Sequence, residues 1–182
     1  ISAMFHVIIP ARYASTRLPG KPLQQIAGKP MVQHVWEQAC KSGAATVTVA
    51  TDDQRIIDAC RAFGAEVVLT RPDHPTGTDR IAEAAKMLDA EIIVNIQGDE
   101  ALVKPEHIDA VTQVLLDDET LNVAIGVNPF DKRNSESDIK VVLNQNNEVL
   151  YLSRSDIPND SRDQNSKMLK AYHIVPFRKN FL

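Results

Sequence analysis

The feature that most constrains the fold is a regular alternation of short apolar runs with amphipathic stretches. Runs rich in Val and Ile start at Phe5, Thr46, Glu66, Glu91 and Asn122. Between them, apolar residues recur every three or four positions, and Gly or Pro marks many of the ends, which is typical of helices. Strands that alternate with helices in this way predict an α/β fold, in which helices cover both faces of a largely parallel sheet.

This alternation gives way to a different pattern in the last third of the chain. Two apolar runs, at 140–143 and 148–152, flank an Asn-rich turn, which predicts a late β-hairpin. Another apolar run, at 171–177, is predicted as the last strand. We therefore expect an α/β core over residues 1–128 and a smaller part over residues 129–182.

The loop after the first apolar run carries the cations Arg12, Arg17 and Lys21. No Asp or Glu precedes Glu37, although the whole chain has a formal net charge of −4. Ligands of open α/β sheets bind beyond the carboxyl ends of the strands, so this loop predicts a site for an anion such as a polyphosphate. The alternative is a solvated basic loop, since neither the Walker A pattern nor G-x-G-x-x-G is present.

A second group of polar residues follows the apolar run at 92–96, where residues 97–100 read Gln-Gly-Asp-Glu. A carboxylate at the end of a buried strand, facing a polyphosphate, is a natural Mg²⁺ ligand, so Asp99 is a candidate metal site. The alternatives are a helix cap or an ion-pair partner for Arg12 or Lys21. Thr78 has a similar pair of interpretations, as a ligand contact or as the cap of the helix that starts near it.

Composition and patterning argue against several classes of protein. A net charge of −4 leaves no broad basic face for nucleic acid. No apolar run approaches about 18 residues, the length of a membrane span. Residues 1–4 lack the basic and apolar regions of a signal peptide, and Cys40 and Cys60 lie on apolar faces of predicted helices, as buried reduced thiols do. We therefore expect a cytoplasmic protein without a membrane span.

The loop at 8–22 reads IIPARYASTRLPGKP, and further motifs occupy 49–53, 77–80, 94–100 and 151–154. In these motifs the chain resembles the CMP-Kdo synthetases, the 3-deoxy-manno-octulosonate cytidylyltransferases. The resemblance implies the nucleotide-diphospho-sugar transferase fold, a Rossmann-like mixed sheet with helices on both faces and a late β-hairpin. It also implies that residues 1–128 bind nucleotide, and that residues 129–182 begin a sugar-binding and dimerisation part that is truncated relative to the family.

The same resemblance implies the chemistry. The anomeric hydroxyl of a 3-deoxy-octulosonic acid attacks the α-phosphate of CTP, giving a CMP-sugar for lipopolysaccharide synthesis and pyrophosphate, with Mg²⁺ as cofactor and a homodimer as the assembly. The implied catalytic residues are Arg12, Lys21 and Asp99, the last also being the metal ligand. The implied nucleotide-binding residues are Ala11, Arg12, Ser15, Arg17, Lys21, Arg71, Gly77, Thr78 and Arg80. The implied sugar-binding residues are Gln97, Tyr151 and Arg154.

Three departures from the family pattern bear on the acceptor and on turnover. Ala101 stands where the family usually has Pro, Ala171 and Val175 stand where it has His and Tyr, and the chain ends at Leu182. Ala and Val side chains form no hydrogen bonds to a sugar, so a modified octulosonate such as 8-amino-Kdo is an acceptor to test beside Kdo. Two alternatives stay open: a truncated or decayed relative that binds nucleotide without turnover, and another sugar nucleotidyltransferase.

Overall fold

The structure is a computed structural model that describes residues 4–15, 17–159 and 167–182. Its α-helices are α1 Met31–Cys40, α2 Gln54–Ala62, α3 Gly77–Ala85 and α4 Pro105–Asp117, and two short 3-10 helices span Lys21–Leu23 and Lys179–Phe181. Its strands are β1 Phe5–Pro10, β2 Gln25–Ile26, β3 Lys29–Pro30, β4 Thr46–Thr51, β5 Glu66–Leu69, β6 Ile92–Ile96, β7 Val127–Phe130, β8 Lys140–Leu143, β9 Val149–Ser153, β10 Met168–Ala171 and β11 Ile174–Arg178. Within these described ranges, every helix is too short or too polar to cross a bilayer.

The central sheet has the strand order β11-β6-β1-β4-β5. The strand β1 pairs in parallel with both β4 and β6, and β4 pairs in parallel with β5. At the other end β11 runs antiparallel to β6. The sheet is therefore mixed but mostly parallel, which confirms the predicted α/β class.

Helices cover both faces of this sheet, because side chains of alternate residues along each strand point to opposite faces. Val7 and Ile9 of β1 pack in one buried cluster with apolar residues of α1, α2 and α4. Ile8, between them in sequence, packs in a second cluster with Ile81 and Ala84 of α3. The near-continuous apolar sequence of β1 is thus explained by burial on two sides.

Residues Ile125–Tyr172 form a second compact unit with its own four-stranded sheet, in the order β7-β10-β8-β9. The predicted hairpin is confirmed as β8 and β9, paired antiparallel. Its turn uses Asn147 at a positive φ of 61°, and the Asn144 side chain accepts hydrogen bonds from the backbone N–H of Asn146 and Glu148. Lys140 is fully buried in this unit and donates to the backbone oxygens of Ser135 and Arg154.

The boundary between the two units differs from the one expected at residue 128. The first unit comprises Ile1–Ala124 together with His173–Leu182. The apolar run predicted as one strand at 171–177 belongs to two: β10 ends at Ala171 in the second sheet, and β11 starts at Ile174 in the central sheet. Local pattern does not reveal this division, because both strands are apolar and only distant pairing assigns them to different sheets. The run predicted from Asn122 likewise forms one bridge at Val123 before β7 begins.

Candidate active site

The loops that follow β1 and β6 lie side by side because these strands are parallel neighbours. The backbone N–H of Gly98 donates to the carbonyl of Pro10 over 3.3 Å. A Cβ atom at position 98 would lie 3.2 Å from that same oxygen, so glycine permits this close approach. On the other side, the N–H of Ala11 donates to Ala50 over 2.9 Å. The sheet therefore fixes where the cationic loop starts and how near it comes to Asp99.

Lys21 and Asp99 meet between these two loops. Lys21 Nζ lies 2.9 Å from Asp99 Oδ2, and the two side chains are 43% and 42% exposed. The structure thus shows the ion pair that was one interpretation of Asp99. A half-exposed carboxylate could also hold Mg²⁺, because in nucleotide sites this ion takes one or two carboxylates together with phosphate oxygens. Among the described residues, no group of three or more His, Cys, Asp or Glu side chains is arranged to hold a metal ion.

A cavity of about 260 Å³ opens at the carboxyl ends of β1 and β6 and the start of α3. It brings together five of the predicted nucleotide- and sugar-binding residues: Ala11, Arg12, Gly77, Arg80 and Gln97. Pro10, His74, Pro75 and Thr76 complete the lining. Gly77 faces across it, since a Cβ atom there would lie 3.8 Å from Gln97 Nε2. The cavity therefore lies between the N-terminus of α3 and the cationic loop.

Arg80 is held by the protein as well as lining this cavity. It is only 4% exposed, and its Nη1 donates to Thr70 Oγ1 and, over 3.4 Å, to the carbonyl of Arg71. The same atom lies 3.3 Å from Asp52 Oδ1. Arg80 therefore ties α3 to the ends of β4 and β5, and it stiffens the wall of the cavity.

The helix α3 begins with a capping box at Thr76 and Asp79. The Thr76 hydroxyl accepts from the N–H of Asp79 over 3.3 Å, and the Asp79 carboxylate accepts from the N–H of Thr76 over 3.1 Å. The cap is therefore Thr76, and the interpretation of Thr78 as the cap is wrong. Thr78 is exposed and does not line the cavity. The T-x-x-D spacing was the sequence signal for the true cap.

Lys21, which pairs with Asp99, and three other predicted nucleotide-binding residues do not line the 260 Å³ cavity. Arg71 forms an exposed ion pair with Asp73 at 3.4 Å and borders a separate cavity of about 420 Å³. Ser15 accepts a hydrogen bond from the N–H of Leu18 over 3.4 Å, which supports the turn in the loop. Arg17 is exposed on that loop.

His74 and Glu83 form a pair that sequence reasoning missed. His74 borders both cavities, its side chain is 7% exposed, and its Nε2 is hydrogen-bonded to Glu83. Glu83 also accepts from the N–H of Arg71 over 3.2 Å. The hydrogen bond from His74 is the main cause that lowers the pKa of Glu83. The two residues come from a loop and a helix and form no spacing motif, so only the fold reveals the contact.

The predicted sugar-binding residues belong to different units. Gln97 lines the cavity in the first unit. Tyr151 is exposed on β9 of the second unit, and Arg154 in that unit donates from Nη1 to the carbonyls of Glu136 and Ser137 over 3.0 and 3.3 Å. Ala171, where the family has His, is buried in β10. Part of the Arg154 guanidinium is thus already engaged by its own unit.

A family model described as cytidylyltransferase matches residues 6–182. The 3-deoxy-manno-octulosonate cytidylyltransferase of Pseudomonas fluorescens is 49% identical over 99% of this chain and 73% of its own length, and the Escherichia coli protein of that name is 42% identical over 97% and 73%. A solved structure of CMP:2-keto-3-deoxy-manno-octonic acid synthetase complexed with CTP matches with a TM-score of 0.92 and 41% identity, over 98% of this chain and 75% of that one. The chain belongs to the 3-deoxy-manno-octulosonate cytidylyltransferase family, as the motif at 8–22 predicts.

Proposed function

We propose that this chain transfers CMP from CTP to the anomeric hydroxyl of Kdo and releases pyrophosphate, supplying CMP-Kdo for lipopolysaccharide synthesis. The observation that carries the proposal is the Lys21–Asp99 ion pair, which joins the two loops that also supply Arg12 and Gln97 to the 260 Å³ cavity, in a chain 41% identical to a synthetase solved with CTP. Nucleotidyl transfer requires positioning and neutralisation of phosphate charge more than acid–base groups. Cations on one loop and a carboxylate on the next supply these two requirements.

In this proposal, Arg12 and Lys21 bind the triphosphate through charge-assisted hydrogen bonds. Backbone N–H groups at the start of α3 add a positive dipole next to the cavity, where the nucleoside is held. Asp99 would hold Mg²⁺, which when bound withdraws charge from the phosphoryl oxygens and stabilises the leaving pyrophosphate. Lys21 then exchanges its carboxylate partner for phosphate.

Gln97, which lines the cavity of the first unit, is the proposed contact for the acceptor. The anomeric oxygen of the acceptor forms a bond to the α-phosphorus as the bond from that phosphorus to the bridging oxygen of the β-phosphate breaks. Pyrophosphate leaves with the electron pair of that bond, and the proton of the hydroxyl passes to water. The two bonds lie in line, and no group of the protein forms a covalent intermediate. Proximity and alignment supply the acceleration, so the positions of the two loops matter more than the pKa of any single residue.

The test measures pyrophosphate release with CTP, Mg²⁺ and an acceptor panel of Kdo, 8-amino-Kdo and sialic acid. We expect release only when CTP, Mg²⁺ and an octulosonate are all present, and fastest with Kdo. Equal turnover with UTP or with a sugar 1-phosphate would favour another sugar nucleotidyltransferase. Tight CTP–Mg²⁺ binding without pyrophosphate release from any octulosonate would identify a relative that has lost turnover.

We also propose a cytoplasmic homodimer. The edge strand β9 exposes four consecutive apolar residues, Val149, Leu150, Tyr151 and Leu152, and such an edge is prone to pair with another chain. Light scattering that gives a molecular mass twice that of the chain supports this assembly. A monomeric mass at the concentrations of the assay would overturn it.

A further inference from the structure

The aromatic ring of Tyr13 lies between a cation and a glycine. The Arg55 guanidinium carbon is 3.2 Å from the centroid of the Tyr13 ring, close enough for a cation–π contact. On the loop itself, a Cβ atom built at Gly20 would lie 2.8 Å from Tyr13 Cε2. The Tyr13 ring therefore fits against residue 20 only because glycine has no Cβ atom.

The backbone closes the loop at the same two residues. The N–H of Gly20 donates to the carbonyl of Tyr13 over 2.8 Å, and Gly20 has a φ of +72°, which glycine adopts without strain. Gly20 is buried and immediately precedes the 3-10 helix that starts at Lys21. Tyr13 and Gly20 are thus joined both by a backbone hydrogen bond and by the contact of the Tyr13 ring with Gly20.

Arg55 is itself fixed, by Asp53. Its Nε and Nη2 donate to the two oxygens of that carboxylate over 3.0 and 2.7 Å, a bidentate arrangement. Asp53 is also the N-cap of α2 and accepts from the N–H of Arg55 over 2.9 Å. The guanidinium is therefore oriented by the first turn of a helix that packs on the central sheet.

We propose that Arg55 is a positioning residue for the nucleotide site: oriented by Asp53, it holds the Tyr13 ring against Gly20 and so sets the spacing of Arg12 and Lys21. The proposal rests on the proposed function insofar as this loop binds the triphosphate of CTP. It adds Arg55, Tyr13 and Asp53 to the residues on which CTP affinity depends. The two acids that follow β4 then act in similar ways. Asp52 forms an ion pair with Arg80 at the cavity, and Asp53 forms one with Arg55, which contacts the Tyr13 ring.

The test compares Arg55→Ala with Arg61→Ala, which removes another exposed arginine from the same helix. The N-cap contact uses the backbone N–H of residue 55, so α2 keeps its cap in the first variant. Titration of CTP–Mg²⁺ by calorimetry should show about a three- to tenfold weaker Kd for Arg55→Ala, the range expected from one cation–π contact. The KM for Kdo and kcat should stay within about twofold of wild type, and Arg55→Lys should recover part of the loss.

A double-mutant cycle with Tyr13→Leu tests whether the two residues act through one contact. We expect Arg55→Ala to cause no further loss of CTP affinity in a protein that already carries Tyr13→Leu. The proposal would be overturned if the fold-changes in Kd of the two single variants multiply in the double variant. Equal CTP affinities of the Arg55→Ala and Arg61→Ala proteins would also overturn it.

A readout that needs no nucleotide separates this inference from the proposed function. Trypsin cleavage after Arg17, followed by mass spectrometry of the native protein, should be faster in Arg55→Ala than in Arg61→Ala. An unchanged rate contradicts the positioning role even if the enzyme is active. The converse outcome is a wild-type protein that releases no pyrophosphate from CTP and Kdo, while Arg55→Ala is still cleaved faster than Arg61→Ala. That combination contradicts the proposed function and leaves the positioning role of Arg55 intact.

Discussion

Lys21 and Asp99 illustrate how a single contact can be weak in stability and central to function. Both side chains remain more than two-fifths exposed, and an exposed ion pair contributes about 0–1 kcal/mol to folding. Each partner can therefore leave the other at small cost when phosphate and metal arrive. A buried Lys–Asp pair would oppose that exchange, because removing one partner of a buried pair is costly.

Replacing Asp99 with Asn keeps the shape of the side chain and removes its charge. We expect turnover to fall at least about tenfold, because the metal loses a charged ligand, while the free energy of unfolding changes by less than about 1 kcal/mol. Pyrophosphate release and urea unfolding measure the two quantities. Asp58→Asn is the matched control: Asp58 is an exposed acid on α2 that accepts a hydrogen bond from Gln54 Nε2, and its replacement should change neither quantity. Near-normal turnover of Asp99→Asn would place the metal elsewhere.

The two cysteines differ in environment, although both were expected to be buried. Cys60 is buried, and burial raises the pKa of its thiol to about 12, whereas Cys40 is exposed at the end of α1. Since the thiolate is the reactive form, a disulfide reagent should modify one thiol per folded chain and the second only on unfolding. The Cys40→Ser protein should lose the fast phase. A fast phase that survives this change would show that Cys60 is accessible.

Residue positions near strand ends were predictable, but their partners were not. Arg12 and Gln97 were expected at the site because polar residues after Val- and Ile-rich runs must meet at one edge of a parallel sheet, and Gly77 was expected there from the family resemblance. All three line one cavity. Arg80 was predicted as a ligand contact, yet its guanidinium mainly ties Thr70 to Asp52. Such contacts join side chains from separate elements, and their geometry follows from packing that no local pattern encodes.

At the scale of elements, α3 links helix stability to the nucleotide site. Its capping box at Thr76 and Asp79 sets where the helix starts, and Gly77, its first residue, lines the cavity. Thr76→Ala should lower the free energy of unfolding by about 1 kcal/mol, the usual value of an N-cap. It should also weaken CTP binding, because the first turn of the helix frays next to the cavity.

Urea unfolding and calorimetric titration of CTP measure these two effects for Thr76→Ala. Thr76→Ser is the matched control, since it retains the hydroxyl that accepts from the N–H of Asp79. The serine protein should behave as wild type in both measurements. Equal losses in the alanine and serine proteins would mean that the methyl group, rather than the cap, carries the effect.

The type of an element was predicted correctly where its apolar pattern extended over many residues. The prediction failed where the pattern was short. The parallel strands β1, β4, β5 and β6 follow Val- and Ile-rich runs separated by clear helical periods. By contrast β10 and β11 are short, adjacent and apolar, so they were read as one strand. Pro176 gave a hint, because a proline lacks the N–H needed in a central strand, and β11 indeed lies at an edge.

For the whole molecule, acid should weaken folding through carboxylates in both units. Hydrogen bonds lower the pKa of five acids: from Lys29 to Glu37, from Arg55 to Asp53, from His74 to Glu83, from Thr120 to Asp118 and from Lys170 to Asp138. An acid with a lowered pKa stabilises the fold above its ordinary value and loses that contribution as pH falls. Burial lowers the pKa of His6, which acts in the same direction because its protonation favours the unfolded chain.

We therefore expect the free energy of unfolding to decline as pH falls, gently below 6.5 through His6 and steeply below 4.5 and 3.8, the ordinary values of Glu and Asp. Urea unfolding at a series of pH values measures this dependence. Asp138→Asn should flatten the acid part of the curve, since its partner Lys170 then loses a charged acceptor at every pH. A stability that rises toward low pH would contradict the assignment.

The pairing of β11 with β6 has a consequence for synthesis on the ribosome. The strand β6 is buried along its whole length, yet its partner on one side follows only after residues 125–172 have been translated. The β8–β9 hairpin of the second unit joins residues that are close in the chain, so it can close early, whereas the central sheet waits for a distant strand. A nascent chain paused before residue 173 would present β6 as an open apolar edge, the kind of edge that chaperones shield and other chains invade.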